Sequence, residues 1–267
     1  MKIQRVRQSR VWLGIALLGA AACGDSTGVD GPQNVSLNFR VIDGAGPMAA
    51  APARVAPIVR DNGTLTLDEI YVIINEVELK PADGSCDLVE ISSSSDDCPE
   101  FEAPPRFLDL PLDGTPVDAV TALIPTGTYK ELDFEIEDLE DDEEEPGMAA
   151  AIEDVRDEIL LQFPNWPRKA SALIVGSFTP AGGVAEDFRV YIDAEIEIEF
   201  ELVPNLTVAE DGTSDRSLTV DIRPDIWFLN GDGTVRDLRD WDYGATQRLL
   251  ELEVEMEEGF TDIEIDG

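Results

Sequence analysis

The side chains with the most chemical capacity in this chain are carboxylates, and they come at intervals of two. "VYIDAEIEIEFEL" (190–202) carries Asp193, Glu195, Glu197, Glu199 and Glu201. "ELDFEIED" (131–138) carries Glu131, Asp133, Glu135 and Glu137. In "DIEIDG" (262–267), Asp262, Glu264 and Asp266 repeat the interval before Gly267. Such oxygen donors suit a hard cation, and calcium takes roughly six to eight of them. The last stretch matches the opening of a D-x-[DN]-x-[DN]-G calcium loop without its closing glutamate, and its competing reading is an exposed strand or tail. Asp262, Glu264 and Asp266, together with Asp193, Glu195, Glu197 and Glu199, are therefore the candidate metal ligands, with Ca2+ as the expected ion. "NGDG" (230–233) resembles the same loop, but Phe228 occupies its first ligand position, and a hairpin turn is the better reading.

What is missing narrows the chemistry. The chain has no histidine, which removes Ser-His-Asp and Cys-His nucleophilic sites and the usual transition-metal sites. No phosphate loop of the GxxxxGK[ST] type occurs. A pair of carboxylates for glycoside hydrolysis is available by residue type, yet among 57 Asp and Glu a chance pair carries almost no information. The expectation is no enzyme and no catalytic residues. The formal charge of −38 excludes nucleic-acid binding, which needs a surplus of Lys and Arg. Self-repulsion of this size keeps a chain soluble and strains its compact state, which salt or divalent cations would relieve.

Cysteines and the N-terminus bear on location. Lys2, Arg5, Arg7 and Arg10 precede a short apolar run, Val11 to Ala22, and no acidic residue occurs before Asp25. The run is well short of the roughly 20 residues a bilayer span requires, and the layout is that of a secretory signal over 1–22. Ala20, Ala21 and Ala22 directly before Cys23 resemble a bacterial lipoprotein processing box. That resemblance implies lipidation of Cys23, a membrane partner through this anchor, and a flexible tether over 23–34. Ordinary signal cleavage is the alternative, and it leaves Cys23 a thiol. Loss of the signal would make the net charge four units more negative. Cys86 and Cys98 bracket the polar stretch "DLVEISSSSDD". In an exported chain this suggests a disulfide, worth roughly 2–3 kcal/mol on the chain-entropy model. Two sulfurs make at most half a zinc site, the competing reading.

The elements that would position these groups are mainly strands. Along 190–202, Val190, Ile192, Ala194, Ile196, Ile198, Phe200 and Leu202 share one face and the carboxylates the other, the pattern of a half-buried strand. Leu132, Phe134 and Ile136 repeat the scheme. Further strands are predicted at 35–42, 65–79, 106–112, 119–124, 170–178 and 218–222, separated by "DNGT", "PTGT" and "NGDGT" turns. Ile152, Val155, Ile159, Leu160 and Phe163 follow helical spacing, and "PNWP" ends that helix. Residues 246–260 fit a helix or a strand, with helix favoured. These patterns predict a mainly β protein, an antiparallel β-sandwich with one or two short helices. Residues 35–267 would form one composite unit, with 146–168 as a candidate internal boundary.

Several longer stretches carry a resemblance. "LDEIYVIINEVELKPADGSC" (67–86), "FLDLPLDG" (107–114) and "IPTGTYKELDFEIED" (124–138) resemble an uncharacterised family of bacterial lipoproteins with a domain of unknown function. "ALIVGSFTPAGGVAEDFRVYIDAEIEIEFEL" (172–202) and "SLTVDIRPDIWFLNGDGTVRD" (217–237) continue it. The resemblance implies a transthyretin- or immunoglobulin-like sandwich on a lipid anchor, with no assigned activity.

Together these readings describe an exported, lipid-anchored protein of the bacterial cell envelope, on the periplasmic face or the cell surface. It would be a non-enzymatic binding or interaction module, stabilised by a cation, with an envelope protein or a glycan as partner. A carboxylate-dependent hydrolase such as a glycosidase, marked by a pocket with two carboxylates and Trp166, Trp227 or Trp241, is the alternative. A purely structural envelope protein is the third reading.

Overall fold

The computed structural model describes residues 33–42, 55–82, 101–139, 146–209, 216–241, 243 and 246–266. Cys23, Cys86, Cys98, the signal and nearly all of the tether lie outside them. In chain order the strands are β1 (Gln33–Val41), β2 (Ile58–Arg60), β3 (Gly63–Pro81), β4 (Phe101–Ala103), β5 (Arg106–Asp109), β6 (Val117–Ile124) and β7 (Gly127–Ile136). After α1 (Pro146–Gln162) come β8 (Ala172–Pro180), β9 (Glu186–Ile192), β10 (Ile196–Val208) and β11 (Arg216–Ile222). Then follow α2 (Pro224–Trp227), α3 (Thr246–Glu258) and β12 (Phe260–Asp266).

Alternating apolar residues set which strand faces meet. Val35, Leu37, Phe39 and Val41 of β1, with Leu218, Val220 and Ile222 of β11, are buried on one sheet. Leu132, Phe134 and Ile136 of β7 and Ile196 and Ile198 of β10 are buried on the other. The sheets meet through aromatic edge-to-face contacts, Phe39 to Phe134 at 5.1 Å and Phe134 to Phe260 at 5.4 Å between ring centres. The four-stranded sheet runs β12-β11-β1-β6, and the eight-stranded sheet is organised on β3. The fold is the expected mainly β sandwich, with two departures. β1 and β11 pair in parallel, and the described residues hold three helices, one of only four residues.

β3 is long enough to take two partners in succession. β5 flanks it from Tyr71 to Ile74. The opposite flank is taken by β8 at Val72 and by β7 at Ile74. β8 and β7 therefore lie end to end along β3, and β9 and β10 lie end to end beyond them. The run 190–202, which reads as one strand, is thus two, interrupted at Asp193–Glu195. There the backbone bonds elsewhere: Ala194 N–H donates to Ser171 Oγ (2.9 Å) and Glu195 N–H to Glu253 Oε1 (3.1 Å).

α1 makes a third layer. Its Ile152, Val155 and Ile159, with Phe163, pack on Ile73 and Leu173, which point away from the sandwich core. Strands from either side of 146–168 thus flank β3 within one sheet. Residues 246–258 are helical as favoured, and β12 follows immediately. The junction is Gly259, whose place a Cβ could not share with the fully buried Trp227 ring.

Candidate functional site

The acidic positions of 131–137 and 197–201 meet on the outer face of the eight-stranded sheet. Glu197 pairs with Glu135, Glu199 with Asp133 and Glu201 with Glu131 across β10 and β7. On the other flank of β7, Lys80 pairs with Glu131 and Glu78 with Asp133. The period-two pattern forces this arrangement, because burying Leu132, Phe134 and Ile136 leaves every intervening acid on the opposite face. One acid reaches the array differently. Glu76 lies where the β3–β7 register shifts, and it holds φ at +45°, the left-handed region that residues with a side chain rarely enter.

Two trios of carboxylates each bring one oxygen per residue within 4.8 Å, and either could hold a metal ion. The first is Glu76, Glu135 and Glu137; the second is Glu131, Asp133 and Glu199. Their electrostatics differ. In the second, Lys80 Nζ pairs with Glu131 at 2.9 Å and also with Asp133, which lifts the lysine above its ordinary range. Asp133 is only 7% exposed, and its Oδ1 has no hydrogen-bond partner. Burial raises its proton affinity, and Lys80 works against that. Glu199 is raised first by the charges of Glu131 and Asp133. In the first trio, Glu135 is pushed up to about 8, chiefly by burial. Its hydrogen bond with Glu137 and the charges of Glu76, Glu137 and Glu197 add to this. Four carboxylates around one position thus favour a proton or a cation.

The remaining sequence-predicted ligands are dispersed. Asp193 and Glu195 sit at the break between β9 and β10, beside Glu253, rather than in the array. Asp193 and Glu253 are both raised, mainly by burial. Asp262, Glu264 and Asp266 alternate along the exposed face of β12. Pairing with β11 makes the stretch strand rather than loop, and alternate side chains on a strand lie about 6.8 Å apart. Glu264 accepts from Arg40 Nη2 at 3.1 Å. "NGDG" forms the expected hairpin turn: Leu229 bridges Val235, Gly233 has φ +80°, and Asp232 caps Thr234. Sequence reasoning missed Glu76 and Lys80. Both lie on the predicted strand or just past its end, and only the register beside β7 reveals their role.

Two tryptophan-lined cavities among the described residues contain none of the trio carboxylates. One, of about 340 Å³, opens beneath α1 beside Trp166. The other, of about 360 Å³, lies between the 228–241 loop and α3, and is lined by Asn230, Arg236, Asp237, Asp240, Trp241 and Glu251.

No protein-family model and no curated protein matches the chain. Among solved structures, MbnP from Methylosinus trichosporium is similar over 71% of this chain and 75% of that one, with 13% identity and a TM-score of 0.33. So loose a likeness carries no argument about function. The lipoprotein-family resemblance stands on its quoted motifs alone. No helix among the described residues is long and apolar enough to cross a membrane.

Proposed function

We propose that this protein is exported, held at the cell envelope by lipid on Cys23, and acts as a non-enzymatic binding module whose carboxylate array takes calcium. The observation that carries the cation reading is the meeting of Glu76, Glu135 and Glu137 within 4.8 Å, with Glu197 opposite Glu135. A hard dication would replace the proton that Glu135 and Glu137 share. Of the ligands expected from sequence at 193–199, Glu197 borders this trio and Glu199 belongs to the other one, while Glu76, Glu135 and Glu137 are added. Calorimetric titration of the metal-free protein with calcium should show saturable binding that the Glu135→Gln, Glu137→Gln double variant loses. The anchor rests on the basic start, the short apolar run and the Ala-Ala-Ala-Cys sequence. Cys23→Ala should abolish lipid labelling and free the protein from membranes, and unchanged membrane partition would rule the anchor out.

A second reading has one observation in its favour. The cavity beside α3 combines Trp241 with Asp237, Asp240 and Glu251, and glycoside hydrolysis uses a pair of carboxylates. Asp237 pairs with Arg239 at 2.9 and 2.7 Å and Glu251 with Arg236 at 3.9 Å, so guanidiniums stand beside these carboxylates. Turnover of aryl glycosides that Glu251→Gln abolishes would establish this reading over the first.

A further inference from the structure

The cavity beneath α1 joins apolar walls to two guanidiniums. Leu139, Ile159, Leu160 and Trp166 contribute apolar walls, and its volume of about 340 Å³ is at the lower end for small-ligand pockets. The Trp166 ring is fixed from two sides. Its Nε1 donates to the Ala170 carbonyl at 2.8 Å, and its ring meets Phe107 and Tyr191 edge-on, each with centres 5.3 Å apart. A rigid aromatic wall of this kind is formed before any ligand arrives.

Two guanidiniums, Arg156 and Arg168, line the same cavity. Two of the chain's 19 basic residues thus line one apolar pocket, in a chain with 57 acidic ones. Arg156 is half-buried, and its Nη2 donates to the Leu139 carbonyl at 2.9 Å, which fixes its plane at the wall. Arg168 is exposed at the other side. Both have protein partners as well, so an incoming anion would join an existing network. Guanidinium is weakly hydrated and planar, and it pairs with a carboxylate through two parallel N–H bonds even beside apolar surface. The negative field of the whole molecule opposes an anion at long range. That field is screened beyond about 8 Å at physiological salt, and the contacts inside the pocket decide binding.

We infer that the pocket beneath α1 binds a small amphiphile, a short aliphatic chain ending in a single carboxylate, with the chain against Leu139, Ile159, Leu160 and Trp166 and the head on Arg156 and Arg168. None of the trio carboxylates lines this pocket.

Octanoate and octanol, equal in chain and different in head, are suitable probes of the full chain at physiological salt. Calorimetry should show saturable binding of octanoate, with octanol about tenfold weaker because it lacks the charge-assisted pair. Octanoate should also shift tryptophan emission, and Trp166→Phe should remove most of that optical change. Arg168→Gln, at an exposed position, should weaken octanoate severalfold and leave octanol unchanged, whereas Leu160→Gln should weaken both. The inference is overturned by an absence of saturable octanoate binding, by octanol binding as tightly as octanoate, or by octanoate affinity that survives the Arg156→Gln, Arg168→Gln pair in a variant whose circular dichroism is native.

Discussion

Glu197 on β10 and Glu135 on β7 stand directly opposite each other across an antiparallel pair. Side chains so placed have Cβ atoms about 4.5–5.5 Å apart, and like charges there destabilise a sheet. The same opposition repeats at Glu199 with Asp133 and at Glu201 with Glu131. Lys80 answers the charge at the Glu131 and Asp133 end through two ion pairs. At the Glu135 end the first response is protonation, and Glu135 is accordingly pushed up to about 8.

That shift sets a direction for pH. The folded state holds its proton on Glu135 up to about pH 8, whereas the unfolded chain releases it near the ordinary glutamate value. The folded form therefore binds more protons across this window, and the stabilisation is lost as pH rises through it. In metal-free buffer the melting temperature should fall between about pH 5 and pH 8. Glu135→Gln, neutral throughout, should flatten the slope, and a slope unchanged in the variant would remove Glu135 from the explanation.

Calcium should substitute for that proton. Millimolar calcium at pH 8 should raise the melting temperature well beyond sodium chloride of equal ionic strength, because a ligand at a hundredfold excess over Kd stabilises by about 2.7 kcal/mol. Equal shifts from the two salts would mean simple screening. The increment should vanish in Glu135→Gln, Glu137→Gln and persist in Asp262→Asn, Glu264→Gln, whose side chains lie along the exposed face of β12.

Replacing Lys80 by Met keeps its apolar stem and removes its charge. Asp133, buried and already with one unpartnered oxygen, would lose its Lys80 counter-ion. Denaturant unfolding should show a loss of roughly 1–3 kcal/mol. The double variant Lys80→Met, Asp133→Asn should recover part of it, and a strictly additive double variant would show that the two residues are not coupled.

Gly259 offers a test of the core. A Cβ there would collide with the Trp227 ring, which is fully buried between α2, α3 and β12. Gly259→Ala should cost roughly 1–3 kcal/mol by overpacking. Tryptophan emission should shift as Trp227 is displaced, and native stability with native emission would mean that the junction yields without strain.

The amino-acid sequence by itself determined the layers of this protein. Its period-two runs bury Leu132, Phe134, Ile136, Ile196 and Ile198 and leave the intervening acids outside, because a strand alternates its faces whatever its neighbours are. The helical spacing of Ile152, Val155, Ile159 and Phe163 fixed the face of α1 in the same way. Which acids meet was decided only by the tertiary structure. Register is a relation between strands distant in the chain, and the pattern within 190–202 does not say that Glu197 faces Glu135 while Asp193 faces neither trio. The break at 193–195 comes from Ser171 and Glu253, far away in sequence. Glu76 joins the site through a left-handed backbone at a register shift, a conformation that no residue type in "INEVELK" announces. Asp262, Glu264 and Asp266 have the composition of a loop, yet pairing with β11 holds them extended and apart. Local alternation is enforced by stereochemistry and is legible in one segment, whereas convergence of charge depends on long-range pairing that no single segment encodes.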